Sequence, residues 1–320
     1  MDTYRFCEGL AIKMKILVTG GTGMVGSAFK NLQNNHDMVL VGTADYDLRR
    51  DSDCVCMIED HQPDGVIHLA AKVGGVKGNS DYVADFFREN ILINTNLLNA
   101  AKNQRINKVV SLLSTCIYPD NPTYPLTEDQ IHSGEPHPSN FGYAYAKRML
   151  EVQSRAIRQQ YGLNYVTAVP NNLYGMNDNF NLNNGHVIPA VVRKVHNSIL
   201  DGKPPRFWGT GSAIREFTYA DDIAKALVWM LESYDSPVPL NIGNTDQISI
   251  YNLVLKIQNI MGAKQSSIWD DTMPAGQYKK PSSNKRFMRL NPGFEYTDLD
   301  TGLTKMIEWY EKEYPNVRGF

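Results

Sequence analysis

Residues 15–26, Lys15-Ile16-Leu17-Val18-Thr19-Gly20-Gly21-Thr22-Gly23-Met24-Val25-Gly26, decide the fold. Lys15–Thr19 has an apolar centre and reads as a short strand. A glycine-rich turn follows at once, and then a helical pattern through Leu32. Strand, glycine turn and helix in that order make a dinucleotide-binding unit. Glycines at 20, 23 and 26 permit a tight turn, close approach to a pyrophosphate and close helix packing. Gly21, Thr22, Met24 and Val25 complete the cofactor-binding turn, and the N–H groups that open the helix face the phosphates. The spacing is G-x-x-G-x-x-G rather than G-x-G-x-x-G, which marks one branch of these folds.

Outward from this unit, Met38–Gly42 and Gly65–Leu69 read as further strands. A carboxylate at the second strand's end would bind the ribose 2′-OH of NAD. Here the tip is Gly42-Thr43-Ala44, Asp45 comes late, and Arg49 and Arg50 follow, so NADP(H) is the expected cofactor. A solvated turn is an equal reading of the two arginines. The third strand ends in Ala70-Ala71, small residues that admit a cofactor, Ala71 among its contacts. Residues 83–102 form a long amphipathic helix. Strands alternating with helices predict an α/β fold, a Rossmann-type doubly wound parallel sheet. Its ligands lie beyond the carboxyl ends of the strands.

The next strand, Val109–Leu113, ends in Ser114-Thr115-Cys116, which places Ser114 and Cys116 at such an edge. Tyr143 and Lys147 stand four apart on a second helical pattern, 143–160, with Cβ atoms about 5–6 Å apart. An ammonium beside a phenol favours the phenolate, so Lys147 is expected to lower the Tyr143 pKa. Y-x-x-x-K alone is common on exposed helices; its company gives it weight.

The 320 residues are 42% hydrophobic and 21% charged, with a net charge of −2. That suits a globular enzyme and disfavours nucleic acid or an anionic membrane as partner. No apolar run reaches the ~20 residues of a membrane span. Residues 1–13 read as a tail with no signal-peptide core. Of Cys7, Cys54, Cys56 and Cys116, none forms a zinc-like pattern, so no metal is expected. Reduced thiols in the cytoplasm are expected, with Cys54 and Cys56 as small buried hydrophobes.

Together Gly20-x-x-Gly23-x-x-Gly26, strand-end Ser114 and Tyr143-x-x-x-Lys147 resemble the extended short-chain dehydrogenase/reductases acting on nucleotide sugars. H-L-A-A-K-V-G-G, S-T-C-I-Y-P, N-F-G-Y-A-Y-A-K-R and D-N-F-N-L-N-N-G-H-V-I-P are similar, more narrowly, to the branch of 3,5-epimerase-4-reductases. Their substrate is GDP-4-keto-6-deoxy-D-mannose. One departure is Ala275 before Gly276-Gln277, where relatives carry Asp. The resemblance implies that Pro170, Asn171, Asn172 and Leu173 touch the nicotinamide side of the cofactor. It also implies that His186, at the entrance of the next helix, faces both cofactor and reaction. Lys194, Trp208, Arg215 and Lys280 are implied as substrate-binding, Arg215 at the diphosphate. Lys279 is the competing choice to Lys280, and an Arg215 pair with Asp221 or Asp222 is the bland one. Residues 14–172 plus 215–245 are expected to form the NADP-binding domain. Residues 173–214 plus 246–320 are expected to form a smaller mixed α/β substrate domain. Helices 83–102 and 143–160 match the pair that builds a homodimer in relatives.

The chemistry follows from a C4 ketone. Ser114 and Tyr143 donate to the ketone oxygen, where enolate charge develops. Cys116 removes an α-proton, His186 returns one from the other face, and Lys147 supports Tyr143. A GDP-mannose 3,5-epimerase is the nearest alternative. A 4,6-dehydratase would want a carboxylate where Cys116-Ile117 stands. A non-catalytic NADP-binding module would not need the intact Tyr–Lys pair.

Overall fold

The structure, a computed structural model, describes residues 13–183, 185–272 and 278–320, with the side chains of residues 76 and 77 left aside. Cys7, Ala275, Gly276 and Gln277 lie outside the described residues. Strand β1 (Lys15–Thr19) leads through the glycine turn into α1 (Met24–Ala28), and β2 (Asp37–Val41) precedes α2 (Asp51–His61). Strand β3 (Gly65–His68) is followed by α3 (Val76–Asp81) and α4 (Val83–Asn103). Then come β4 (Lys108–Leu112), α5 (Phe141–Tyr161) and β5 (Asn164–Val169).

The helix after the glycine turn is shorter than expected, ending at Ala28 instead of Leu32. Gly26 weakens it from within, and the Ser27 hydroxyl donates back to the Met24 carbonyl at 2.8 Å, competing with the helical ladder.

Beyond β5 lie β6 (Asn172–Tyr174), α6 (Val187–Asp201), β7 (Arg206–Trp208), β8 (Ile214–Tyr219) and α7 (Ala220–Ser233). The chain continues through β9 (Leu240–Asn241), β10 (Gln247–Ser249), α8 (Ile250–Ile260), β11 (Ile268–Asp270), α9 (Lys285–Leu290) and α10 (Leu299–Glu313). Six parallel strands form the main sheet in the order β2-β1-β3-β4-β5-β9. Such a sheet must be covered on both faces. On one face α2, α4 and α5 bury Met57, Leu97, Leu98 and Leu150. On the other α1 and α7 bury Val25, Ile223 and Leu227. A second, three-stranded sheet runs β10-β8-β6. A third cluster joins Tyr174, Phe180, Val192, Phe217, Leu303 and Tyr310 beside it.

Cys54 is buried, but Cys56 is exposed. Two residues on a helix rotate a side chain by about 200°, so one thiol faces the core and the other water. None of the described helices is long and apolar enough to cross a membrane.

Candidate active site

The site assembles at the carboxyl edge of the main sheet. After β1, Gly20 takes a φ of +70°, and a Cβ there would come within 2.9 Å of the Ala70 nitrogen that follows β3. Gly26 is more tightly held: a Cβ would meet the Gly20 carbonyl at 2.2 Å. At Gly23 an added Cβ would meet only Gly20 O, at 3.2 Å, so this side of the turn stays open for a ligand. Gly23 donates to Gly20 O at 3.0 Å and caps α1. Gly21 donates to Val41 O at 2.8 Å, tying the turn to β2.

At the tip of β2, Asp45 accepts from Gly42 N at 2.7 Å. Arg49 is committed to Asp47 at 2.8 Å and to Glu89 at 3.3 Å, and the guanidinium holds the Asp47 carboxyl down at about 2. The Arg49 head is therefore paired within the protein, while Arg50 reaches Asp47 only at 3.9 Å and is largely exposed.

After β4 the chain tightens into a single 3-10 turn, Thr115–Ile117, capped by Ser114, whose Oγ accepts from Cys116 N at 3.4 Å. Cys116 is half-buried against the core. Burial raises its thiol pKa, while the Ser114 hydrogen bond and the charges of Lys280 and Lys147 pull it down. From α5, Arg148 donates to Ile117 O at 2.6 Å and anchors this turn from behind.

Tyr143 and Lys147 share a face of α5, with the Lys147 ammonium 6.0 Å from the Tyr143 ring centre. The expected acidification of the phenol is not present here. Burial and the neighbouring Cys116 push the Tyr143 pKa up. Lys147, almost fully buried, donates to Leu112 O at 2.7 Å, and desolvation brings its own pKa down to about 8. The lysine thus meets the strand before it meets the phenol.

Asn171 and Asn172 follow β5 at Pro170 and lead into Leu173. The Asn171 side-chain amide is engaged within the protein. Its amide donates to Asn244 O at 2.5 Å and accepts from Thr218 at 2.6 Å, which ties β8 to the loop after β9. Asn172 donates to Glu216 O at 2.8 Å and is otherwise exposed.

His186 caps α6, with Pro189 in the helix's first turn. It is half-exposed, with Nδ1 3.8 Å from Oδ1 of Asp178. Asp178 is buried, and it raises the His186 pKa against the opposing effects of burial and of Arg318. Sequence reading passed over Asp178 because it sits in a polar Asn-rich loop. Its signals were its place at the head of the D-N-F-N-L-N-N-G-H-V-I-P block and the apolar Phe180 two residues on, which is fully buried and draws the loop inward.

Lys194 donates to Arg206 O at 2.9 Å and lies over the Phe207 and Trp208 rings at 5.4 and 5.9 Å. Trp208 is 63% exposed, so it is no core residue. Arg215 does not pair with Asp221 or Asp222: it donates to Ile214 O and Tyr278 O, while Asp222 takes Thr297 and Lys225. Arg215 lines one crevice with Lys279 and Lys280, and the two cations Arg215 and Lys280 act on each other. Lys280 is also the lysine whose charge reaches Cys116. Glu216, buried beneath them, accepts from Ser282 N and Oγ at 3.1 and 2.6 Å and fixes the segment that carries Lys280. A separate cleft of about 480 Å³ beside β10 and α8 contains none of these side chains.

Residues 16–243 match the model of the NAD dependent epimerase/dehydratase family. The chain belongs to this family. Among its relatives, the GDP-L-fucose synthase of Dictyostelium discoideum is 40% identical, over 96% of this chain and 98% of that one. A probable GDP-L-fucose synthase of Drosophila melanogaster is 36% identical over 95% and 99%. The crystal structure of a GDP-L-fucose synthetase from Naegleria fowleri bound to NADP superimposes with a TM-score of 0.90. It is 36% identical and covers 95% of this chain and 94% of that one. The family match ends before Lys280, but the full-length likenesses extend over that part of the site as well.

Proposed function

We propose that this protein converts GDP-4-keto-6-deoxy-D-mannose to GDP-L-fucose, by epimerisation at C3 and C5 and then NADPH-dependent reduction at C4. The observation that carries this reading is that Tyr143, Lys147 and Lys280 each act on the charge of Cys116, with the Lys147 ammonium 6.0 Å from the Tyr143 ring centre. A thiol base, a phenol and two cations at a sheet edge suit α-proton removal beside a ketone.

Ser114 and Tyr143 donate to the C4 oxygen and stabilise enolate charge there. The Cys116 thiolate takes the α-proton, and the His186 imidazolium protonates the opposite face, inverting the centre. Proton exchange with solvent resets both groups. Tyr143, held as a neutral phenol, is in the right form to give O4 its proton at the last step. Lys147 orients the ribose beside it. NADPH, when bound, supplies the hydride. The open side of the glycine turn at Gly23 fits its pyrophosphate, within the turn Gly20 to Gly26, while Ala71 and Pro170–Leu173 are assigned to the rest of the cofactor, the latter on its nicotinamide side. The NADP in the Naegleria relative supports the choice of cofactor. Arg215 and Lys280 receive the diphosphate, and Lys194 and Trp208 flank the nucleotide. Helices α4 and α5 pack on each other and leave Phe87 and Met149 exposed, which supports a homodimer across these helices. We place the protein in the cytoplasm.

NADPH absorbance tests the reading. Consumption with GDP-4-keto-6-deoxy-D-mannose, and none with GDP-mannose alone, is expected. A protein that binds NADPH but leaves it unoxidised with the ketosugar would overturn it. Normal product from Cys116→Ser would remove the cysteine from its role.

A further inference from the structure

We propose that the segment Val317–Phe320 is a positioning element for the loop that carries Asp178 and His186. It rests on the reading of His186 as proton donor. The contacts converge from both sides of the histidine. Before it, Phe180 N donates to Arg318 O at 2.9 Å. After it, Arg193 of α6, the helix that His186 caps, donates through Nη1 to Phe180 O at 3.1 Å and to Gly319 O at 2.6 Å. One guanidinium thus binds the loop, the helix and the segment together. Its centre also lies 4.3 Å from the Phe320 ring centre, and that ring meets Tyr314 edge-on at 4.8 Å. Val317 is buried in the same apolar cluster as Phe180.

Gly319 makes the fit exacting. Its φ of +82° is a left-handed conformation, and a Cβ there would fall 2.1 Å from Asn179 Oδ1 and 2.7 Å from Asn181 N. Those two residues closely follow Asp178, so any side chain at 319 displaces the backbone that aims the carboxylate at His186. The charged groups acting on His186 are Asp178 from its own loop and Arg318 from the segment. The segment therefore both locates the imidazole and adds a cation near it. Residues 317–320 are positioning residues and act through His186.

Gly319→Ala and Arg193→Met in the full chain test the proposal, with His186→Gln as reference. Three readouts apply: deuterium uptake from D2O at C3 and C5 of GDP-4-keto-6-deoxy-D-mannose, NADPH binding by fluorescence, and the His186 titration by NMR. Deuterium uptake should fall about 10- to 100-fold in both variants, as for a catalytic group moved by about 1 Å. NADPH affinity should fall less than uptake, since residues 20–26 make none of the contacts removed. In Gly319→Ala the His186 titration should also move to lower pH, because the Asp178 carboxylate that raises it is no longer aimed at the ring. Parent-like uptake with an unmoved titration in both variants would overturn the positioning role. If His186→Gln itself keeps full uptake, the proton-donor reading fails, and the titration still decides whether 317–320 holds the imidazole. Should Gly319→Ala fail to fold, Phe320→Ala removes only the ring over Arg193 and is read the same way.

Discussion

Oδ1 of the buried Asp178 lies 3.8 Å from Nδ1 of His186, and its Oδ2 has no hydrogen-bond partner among the described residues. This carboxylate matters because the proposed pair must act as thiolate and imidazolium. Burial raises the Cys116 pKa. With the thiol titrating above the imidazole, the working form is a minority, and its share grows as the His186 pKa rises. Asp178 raises it. Asp178→Asn should lower it, moving the low-pH limb of the exchange profile to lower pH. The plateau should drop by about tenfold for every pH unit that the limb moves. An unchanged plateau and limb in the pH profile of deuterium uptake would exclude this role for Asp178.

Lys280 works on the other member of the pair. Its charge pulls the Cys116 pKa down against the effect of burial. Lys280→Met should therefore raise the thiol pKa. The rate of Cys116 alkylation by iodoacetamide at fixed pH near 8 should fall by about 3- to 10-fold, as thiolate is lost. Deuterium uptake should fall with it. Lys279→Met, at an exposed position, is the control and should leave alkylation unchanged.

Tyr143→Phe should separate the two halves of the reaction. The phenol is held neutral by burial and the neighbouring Cys116, so its loss removes the proton donor for O4. NADPH oxidation should fall by about 10²–10⁴-fold, the usual contribution of a positioned acid. Deuterium uptake should persist at a reduced rate, since Ser114 still faces the ketone in the proposed pose. Loss of uptake equal to the loss of oxidation would show that Ser114 alone does not support enolisation and that the phenol is needed equally in both steps.

The periodicity of β1, the glycine spacing and the Tyr–Lys pair were legible because each is local: a few adjacent residues suffice to define it. Asn171 shows where locality ends. The resemblance implied cofactor contacts there, yet the partners of its side chain, Thr218 and Asn244, lie 47 and 73 residues away. The Lys147 interaction likewise turned on the Leu112 carbonyl 35 residues earlier, which no helix spacing reports. Glu216 was hidden for the same reason, since the Ser282 that holds it lies 66 residues away.

Gly26 offers a test of the glycine turn that is independent of the chemistry. An alanine there would place its Cβ 2.2 Å from the Gly20 carbonyl and 2.6 Å from the Gly21 Cα, both backbone atoms that cannot rotate away. The turn must open, and α1 must shift from its place against α7. Overpacking of this kind costs about 1–3 kcal/mol. Gly26→Ala should lower the urea midpoint accordingly and weaken NADPH binding at the displaced turn. Gly23→Ala, which meets only one atom at 3.2 Å, should cost less stability while still weakening NADPH, because its Cβ would enter the open side. Equal stability losses in the two variants would show that backbone packing alone does not distinguish these glycines.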